Sequence, residues 1–211
     1  KLCHENCDMH HLFAVLPRCE KEQYLKYCPI CSREDRQKYA ETYWHRKHQI
    51  RNMRICPKHK CRLRDSGVPA KSMSLYSFVT AEEVIPGIEE SLSVDDPLQI
   101  AFAEYVEQVF DSPVDFVRDI PISAILYHGM KDTEYMKSTG NSRYMTKFVD
   151  DMTHFYKKIE LNEIATMSRI QKTLLTGRGY DFSIVCQIAF FLGMKPEELT
   201  NSQLSEEEIR Q

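Results

Sequence analysis

Residues 28–59 read CPICSREDRQKYAETYWHRKHQIRNMRICPKH, with a short metal-binding pair at each end of a basic, aromatic segment. Cys28 and Cys31 form the first pair, and Cys56 and His59 form the second. Each pair places two ligands on a tight turn, and the 24 residues between the pairs allow all four ligands to close around one ion. Three thiolates and one imidazole suit tetrahedral zinc. Because side chains fill all four positions, we predict one structural zinc per chain, with no place for a catalytic water.

The remaining cysteine and histidine residues give weaker signals. No secretory signal pattern opens the chain, and paired cysteines at short spacing then favour a metal site over a disulfide framework. Cys61 follows the second pair closely and can compete for the metal, whereas Cys186 lies in an apolar run and is interpreted as a small buried hydrophobe. A second metal site at the start of the chain stays open, with the irregularly spaced candidates Cys3, Cys7, His10 and His11.

The segment between the two pairs predicts a helix. It lacks Gly and Pro, Ser32 is placed as an N-cap, and Asp35 follows three residues later in the position of a capping box. We therefore predict a helix from about residue 33 to about residue 48. It would bury three aromatic side chains against the metal pairs, namely Tyr39, Tyr43 and Trp44.

Charge is distributed unevenly along the 211 residues. Residues 1–65 carry 15 basic and 8 acidic side chains, residues 66–130 carry 2 and 11, and residues 131–211 carry 11 and 12. A basic block is typical of a solvated face or of a protein with a polyanionic partner, since Lys and Arg that neutralise phosphates release condensed counterions. Arg46 and Lys47 are the candidate phosphate contacts of the basic block. The acidic middle is predicted to stay away from nucleic acid.

The composition is that of a globular protein, with 42% hydrophobic and 10% aromatic residues. No apolar run approaches the ~18 residues of a membrane span, so we expect a cytoplasmic protein without a membrane partner. The sequence opens at Lys1, and we expect it to be part of a longer protein. The fold is predicted to be mostly α, in three parts: a zinc-binding module at 1–64, an acidic linker at 65–97 and an all-helical domain at 98–211.

The sequence YCPICSREDRQKYAETYWHRKHQIRNMRICPKHKCRL, residues 27–63, resembles the TnsD/TniQ family of transposon target-selection proteins. The resemblance rests on both metal pairs, the Tyr-Trp-His-Arg-x-His-Gln stretch and the Leu after the second pair. Two departures are Ala40, where the family usually has Gly, and Arg51-Asn52, where a Pro-Gly pair is common. The resemblance implies a non-catalytic bacterial adaptor, located at the nucleoid, that binds double-stranded target DNA or a guide complex, marks an insertion site and recruits a TnsC-like AAA+ transposition regulator.

The helical part contains a second pattern. Residues 165–199, ATMSRIQKTLLTGRGYDFSIVCQIAFFLGMKPEEL, resemble the latter part of phage-repressor-type helix-turn-helix domains. By that comparison one helix would read DNA through side chains suited to base edges and phosphates, namely Ser168, Arg169, Gln171 and Lys172. Arg143 and Lys147 on the preceding predicted helix are further candidate contacts. Plain helix packing is the alternative interpretation of the same pattern.

Three classes of function stay open. The first is a zinc-stabilised, DNA-binding target-selection adaptor. The second is a protein-binding adaptor that docks on a CRISPR guide-RNA effector complex and recruits the ATPase without reading DNA. The third is a zinc-containing nuclease of the His-Asn-His type, which is weak because His45 and His48 would have to act as metal ligands without a nearby Asp or Asn.

Overall fold

The computed structural model describes residues 24–70, 79–112, 120–137, 144–161, 164–175, 181–200 and 204–205. The chain divides into two compact units with a boundary between Phe110 and Asp111. Over the described ranges a small strand region with a Cys/His cluster precedes a helical region, which confirms the mostly α fold. None of the helices described is long and apolar enough to cross a membrane.

The first unit combines short strands with helices. β1 pairs with β4 in an antiparallel ribbon, with Tyr27 opposite Arg64, and β2 pairs with β3 in a second one. In chain order its elements are β1 (Tyr24–Tyr27), α1 (Pro29–Tyr39), a 3-10 helix (Arg46–Gln49), β2 (Ile55–Cys56), β3 (Cys61–Arg62), β4 (Arg64–Pro69), α2 (Ala81–Val84) and α3 (Pro97–Asp111).

α1 corrects the helix predicted over residues 33–48. The N-cap residue is Cys28 and not Ser32, and the Cys28 sulfur accepts a hydrogen bond from the Cys31 amide. Pro29 lies in the first turn of the helix. The helix ends at Tyr39 because Ala40 adopts a left-handed conformation, φ 64°, with its N–H bonded to the Arg36 carbonyl. Glycine is favoured at such a C-terminal position, which accounts for the glycine that the family usually has there.

Because α1 ends early, the aromatic side chains are more exposed than the sequence predicted. Tyr39 is 52% exposed and Tyr43 is 48% exposed, so the prediction that they are buried is wrong. Trp44 is partly buried, packs against the cluster of Tyr27, Ala81 and Ile85, and donates its Nε1–H to the Val79 carbonyl. Because residues 41–45 leave the helix, the aromatic positions do not share one helical face.

Residues 65–97, where the sequence predicted an acidic linker, contain packed structure. β4 pairs with β1, and Ala81 and Ile85 of the α2 segment are buried. Ser93 forms a bridge with Cys61 of β3. In this range the low helical periodicity and the many turn residues therefore reflect short packed elements joined by turns.

The described secondary-structure elements of the second unit are all helices. α7 forms the centre of its core, with residues 183–189 all buried. Buried Gln187 accepts a hydrogen bond from the Ala165 amide with its side-chain oxygen, at 3.0 Å, and from the Tyr156 hydroxyl with its backbone carbonyl, at 2.7 Å. The elements are α4 (Ile122–Met130), α5 (Met145–Lys158), α6 (Met167–Leu175), α7 (Phe182–Phe191) and α8 (Pro196–Thr200).

The sequence predicts helix caps at Asp96, directly before Pro97, and at Asp181, and both caps are confirmed. Asp96 accepts hydrogen bonds from the amides of Leu98 and Gln99 before α3, and Asp181 accepts one from the Ser183 amide at the start of α7. The sequence also predicts Ser142 as the cap of the helix that follows it, and this residue lies outside the described residues.

Candidate metal centre

The four predicted ligands come from two local structures. Cys28 caps α1 and Cys31 lies in its first turn, so the helix start fixes the first pair. Cys56 ends β2, and His59 lies in the tight turn that leads to β3. Helix start and hairpin thus face each other across one small cluster.

The side-chain atoms of Cys28, Cys31, Cys56 and His59 lie within 4.8 Å of one another. Nδ1 of His59 lies 3.4 Å from the Cys28 sulfur, 3.3 Å from that of Cys31 and 3.7 Å from that of Cys56. The sulfurs of Cys31 and Cys56 are 3.7 Å apart. Tetrahedral zinc with bonds of about 2.3 Å to sulfur and about 2.0 Å to nitrogen needs spacings of about 3.5 to 3.8 Å. The cluster can therefore hold a metal ion.

Glu34 of α1 orients the imidazole of His59. Its Oε1 lies 3.1 Å from His59 Nε2, and its other oxygen accepts from the Lys58 ammonium. The hydrogen bond from Lys58 is the largest cause that lowers the pKa of the Glu34 carboxyl, and the contact with His59 is the next largest. A metal-binding histidine commonly donates its second ring N–H to a carboxylate, which fixes the ring and its tautomer. The arrangement leaves Nδ1 directed at the three sulfurs.

A second histidine lies beside the cluster. His48 is 3% exposed, and its Nε2 is 4.0 Å from the Cys31 sulfur. Burial lowers the pKa of His48 to about 3, so the ring is neutral at physiological pH. Its ring stacks on that of His45 at 4.8 Å, and His45 Nε2 is 2.8 Å from Asp35 Oδ2. The carboxylate beside His45 was missed in the sequence, although Asp35 lies within the same segment.

A cavity of about 270 Å³ opens next to the metal cluster. The exposed rings of Tyr39 and Tyr43 contact each other edge-on, with centroids 6.3 Å apart, and Tyr43 stacks on His45 at 4.4 Å. The ammonium of Lys38 lies over the Tyr39 ring at 4.9 Å. Residues of both charge signs line the cavity, including Lys38, Lys58 and Glu107.

The predicted nucleic-acid contacts are distributed over both units. In the first unit Arg46 is exposed, whereas the ammonium of Lys47 lies 2.8 Å from Glu107. In the second unit Lys147 pairs with Glu134 at 2.5 Å. Arg143 lies outside the described residues.

On α6, three of the four predicted side chains are exposed: Ser168, Gln171 and Lys172. Arg169 instead pairs with Asp181 at 2.5 Å. Since Asp181 caps α7, Arg169 connects α6 to the start of the next helix.

Acidic side chains from the middle of the chain neutralise part of the basic block. Arg36 donates to both oxygens of Glu82 at 3.0 and 2.9 Å. Two further contacts at 3.5 Å join Lys60 to Glu104 and Arg64 to Glu89. Basic side chains of residues 36–64 and acidic side chains of residues 82–104 thus meet within the first unit, an outcome that charge counting along the chain did not predict.

Comparison with known protein families gives one match. The sequence model of the TniQ family matches residues 15–63. This range includes all four candidate ligands, and the resemblance to the TniQ family is confirmed. No curated protein matches the chain.

Proposed function

Because residues 15–63 carry a TniQ-family module, we propose that the protein is a non-catalytic target-selection adaptor of a bacterial transposon. It binds double-stranded DNA at the insertion site and recruits a TnsC-like AAA+ transposition regulator. The observation that carries the proposal is the family match over a cluster of three cysteines and one histidine whose spacings suit a closed metal site. Such a site stabilises a surface and leaves no open position for chemistry.

The proposed metal is one zinc ion per chain. Zinc takes thiolate and imidazole ligands in tetrahedral geometry, and soft thiolates disfavour magnesium and calcium. The three sulfurs are buried, and an oxygen-preferring ion would find no carboxylate among the four ligands. Elemental analysis of the purified protein tests the assignment, with one equivalent of zinc as the expected result.

The proposed DNA-reading element is α6. Its buried positions Ile170, Thr173 and Leu174 face the core, which leaves the opposite face exposed. That face carries Ser168, Gln171 and Lys172, whose side chains can hydrogen-bond base edges or phosphates in a major groove. In the first unit, exposed Arg46 is the proposed contact with the phosphates of the DNA backbone.

Selection from a random duplex pool tests DNA reading. The purified chain is incubated with the pool in the presence of competitor DNA, and bound duplexes are sequenced. Enrichment of one motif supports the proposal. Uniform recovery of all sequences contradicts sequence reading by this chain.

A second candidate function is a protein-binding adaptor that docks on a guide-RNA effector complex and recruits the ATPase. It is favoured by the ion pairs of Lys47, Lys147 and Arg169, which reduce the charge available to phosphates. Exposed Tyr39 and Tyr43 beside a cavity of mixed charge also suit a protein interface, where tyrosine is enriched. Retention of ATPase binding without motif enrichment would favour this candidate.

The nuclease alternative gains no support from the arrangement of its histidines. His48 is 3% exposed, and His45 is held by Asp35. Metal-assisted phosphate hydrolysis needs ligands around an open coordination position, which a buried imidazole in a ring stack does not offer.

A further inference from the structure

A fifth metal-binding side chain, that of Cys61, lies beside the four that form the candidate metal centre. The sulfur of Cys61 lies 3.4 Å from that of Cys28, the same distance that separates Cys28 from His59 Nδ1. Two sulfurs bound to one tetrahedral zinc are about 3.8 Å apart, so the spacing of Cys61 and Cys28 is close to that of two ligands on one ion.

The backbone of Cys61 is fixed from two sides. Cys61 lies directly opposite Cys56 in the β2 and β3 pair, which brings the two residues to the same end of the hairpin. On its other edge Cys61 forms a bridge with Ser93, and the neighbouring amides of Arg62 and Val94 complete hydrogen bonds to Leu92 and Lys60. These contacts hold the Cys61 thiol beside the cluster.

Cys61 and His59 differ in their access to solvent. Cys61 is 1% exposed, whereas the side chain of His59 is 12% exposed and its orientation depends on Glu34, whose side chain is 44% exposed. The imidazole is therefore the outer ligand, held by a surface contact. Cys61 is the inner donor, and its position does not depend on that contact.

We infer that Cys61 is a reserve ligand, which takes the fourth coordination position when His59 leaves it. This inference rests on the proposed metal site. With His59 bound, the ion has three sulfur ligands and one nitrogen ligand. With His59 displaced, Cys28, Cys31, Cys56 and Cys61 hold the ion through four sulfurs, and the metal stays in the module.

Titration with Co²⁺ tests the inference, because the absorption of tetrahedral Co²⁺ distinguishes three sulfurs and one nitrogen from four sulfurs. We expect the spectrum of three sulfurs and one nitrogen for the unaltered chain and for Cys61→Ser. His59→Ala should bind one equivalent with the four-sulfur spectrum, and the double variant His59→Ala/Cys61→Ser should bind more weakly, with the spectrum of three sulfurs and one non-sulfur ligand. The matched control is Cys186→Ser, a buried cysteine of the second unit, which should leave the spectrum unchanged.

Loss of metal from His59→Ala, or a spectrum of three sulfurs with a non-sulfur ligand in that variant, overturns the reserve role while the site of three cysteines and one histidine stands. Absence of stoichiometric metal from the unaltered chain overturns the proposed metal site as well.

A second measurement needs no change at His59, should that variant fail to fold. Cd²⁺ is softer than Zn²⁺ and favours thiolates, so in the unaltered chain it should displace His59 in favour of Cys61, and the ¹¹³Cd resonance should then report four sulfurs. Cys61→Ser should shift it to the value of three sulfurs and one nitrogen. The same three-sulfur resonance in both proteins overturns the inference.

Discussion

Ala40 shows how one residue ends the helix that supports the metal cluster. An alanine at φ 64° lies in the left-handed region, which costs an L-residue about 1 to 2 kcal/mol relative to the right-handed one. The residue is exposed, so a substitution there changes few side-chain contacts.

Ala40→Gly should raise the free energy of unfolding by about 1 kcal/mol, because glycine adopts this conformation without a Cβ clash. Denaturant unfolding of the metal-loaded chain measures the change. Ala101→Gly in the interior of α3 is the control, and it should destabilise by about 0.5 to 1 kcal/mol. Equal losses in both variants would contradict the role of the left-handed turn.

Glu34 is a residue whose function follows from its contact with His59. Glu34→Ala should lower zinc affinity by about 10-fold, the lower end of the effect of removing a residue that orients a metal ligand, because the ring of His59 loses its acceptor. Competition with a chromophoric chelator measures the affinity.

Two controls distinguish the orientation of the His59 ring by Glu34 from a general effect of negative charge. Glu41→Ala removes an exposed acidic residue just beyond α1, and Lys58→Met removes the other partner of Glu34. Both should leave zinc affinity within about 3-fold. A decrease in the Glu41 variant equal to that of Glu34→Ala would point to a general effect of charge.

At the scale of elements, α2 is held on α1 by one arginine. Arg36 donates to both oxygens of Glu82 and to the backbone carbonyls of Ile85 and Pro86, and the Thr42 amide also donates to Glu82. The residues joined lie 40 or more positions apart in the sequence. Residues 81–86 therefore depend on contacts with α1.

Arg36→Ala should accelerate hydrogen exchange of the Ala81–Ile85 amides by about 10-fold, since it removes several charge-assisted hydrogen bonds. Metal content should not change. Arg33→Ala, an exposed position on the same helix, is the control and should leave exchange as it is. Unchanged exchange in Arg36→Ala would show that packing of Ala81 and Ile85 alone holds the segment.

The elements also show which features the sequence could predict. The metal pairs and the caps Asp96 and Asp181 were predicted because each depends on residues within a few positions. The pairing of Arg36 with Glu82 depends on tertiary approach, so the acidic stretch was interpreted as a linker. The N-cap of α1 was assigned to Ser32 because a cysteine sulfur is an uncommon cap, and the metal pair itself determines where this helix begins.

At the scale of the whole molecule, the sequence predicted that Arg169 contacts DNA bases and that Lys47 contacts the phosphates of the DNA backbone. The ion pairs with Asp181 and Glu107 now give both residues a structural partner. Arg169→Ala should therefore lower the stability of the helical unit by about 1 kcal/mol, as measured by thermal unfolding. Loss of sequence preference without any loss of stability would restore the original assignment.

The remaining exposed side chains make DNA binding by the whole chain testable. Gln171→Ala should cost ~1 to 3 kcal/mol at one or two base positions, because α6 would lose a direct base contact. Arg46→Ala should weaken binding to all duplexes alike and reduce the salt slope by about one unit, as the loss of a phosphate contact does. Titrations of selected and scrambled duplexes at several salt concentrations separate the two effects. If neither variant changes DNA binding while Tyr43→Ala abolishes binding of the ATPase, the protein-binding adaptor replaces the DNA-reading one.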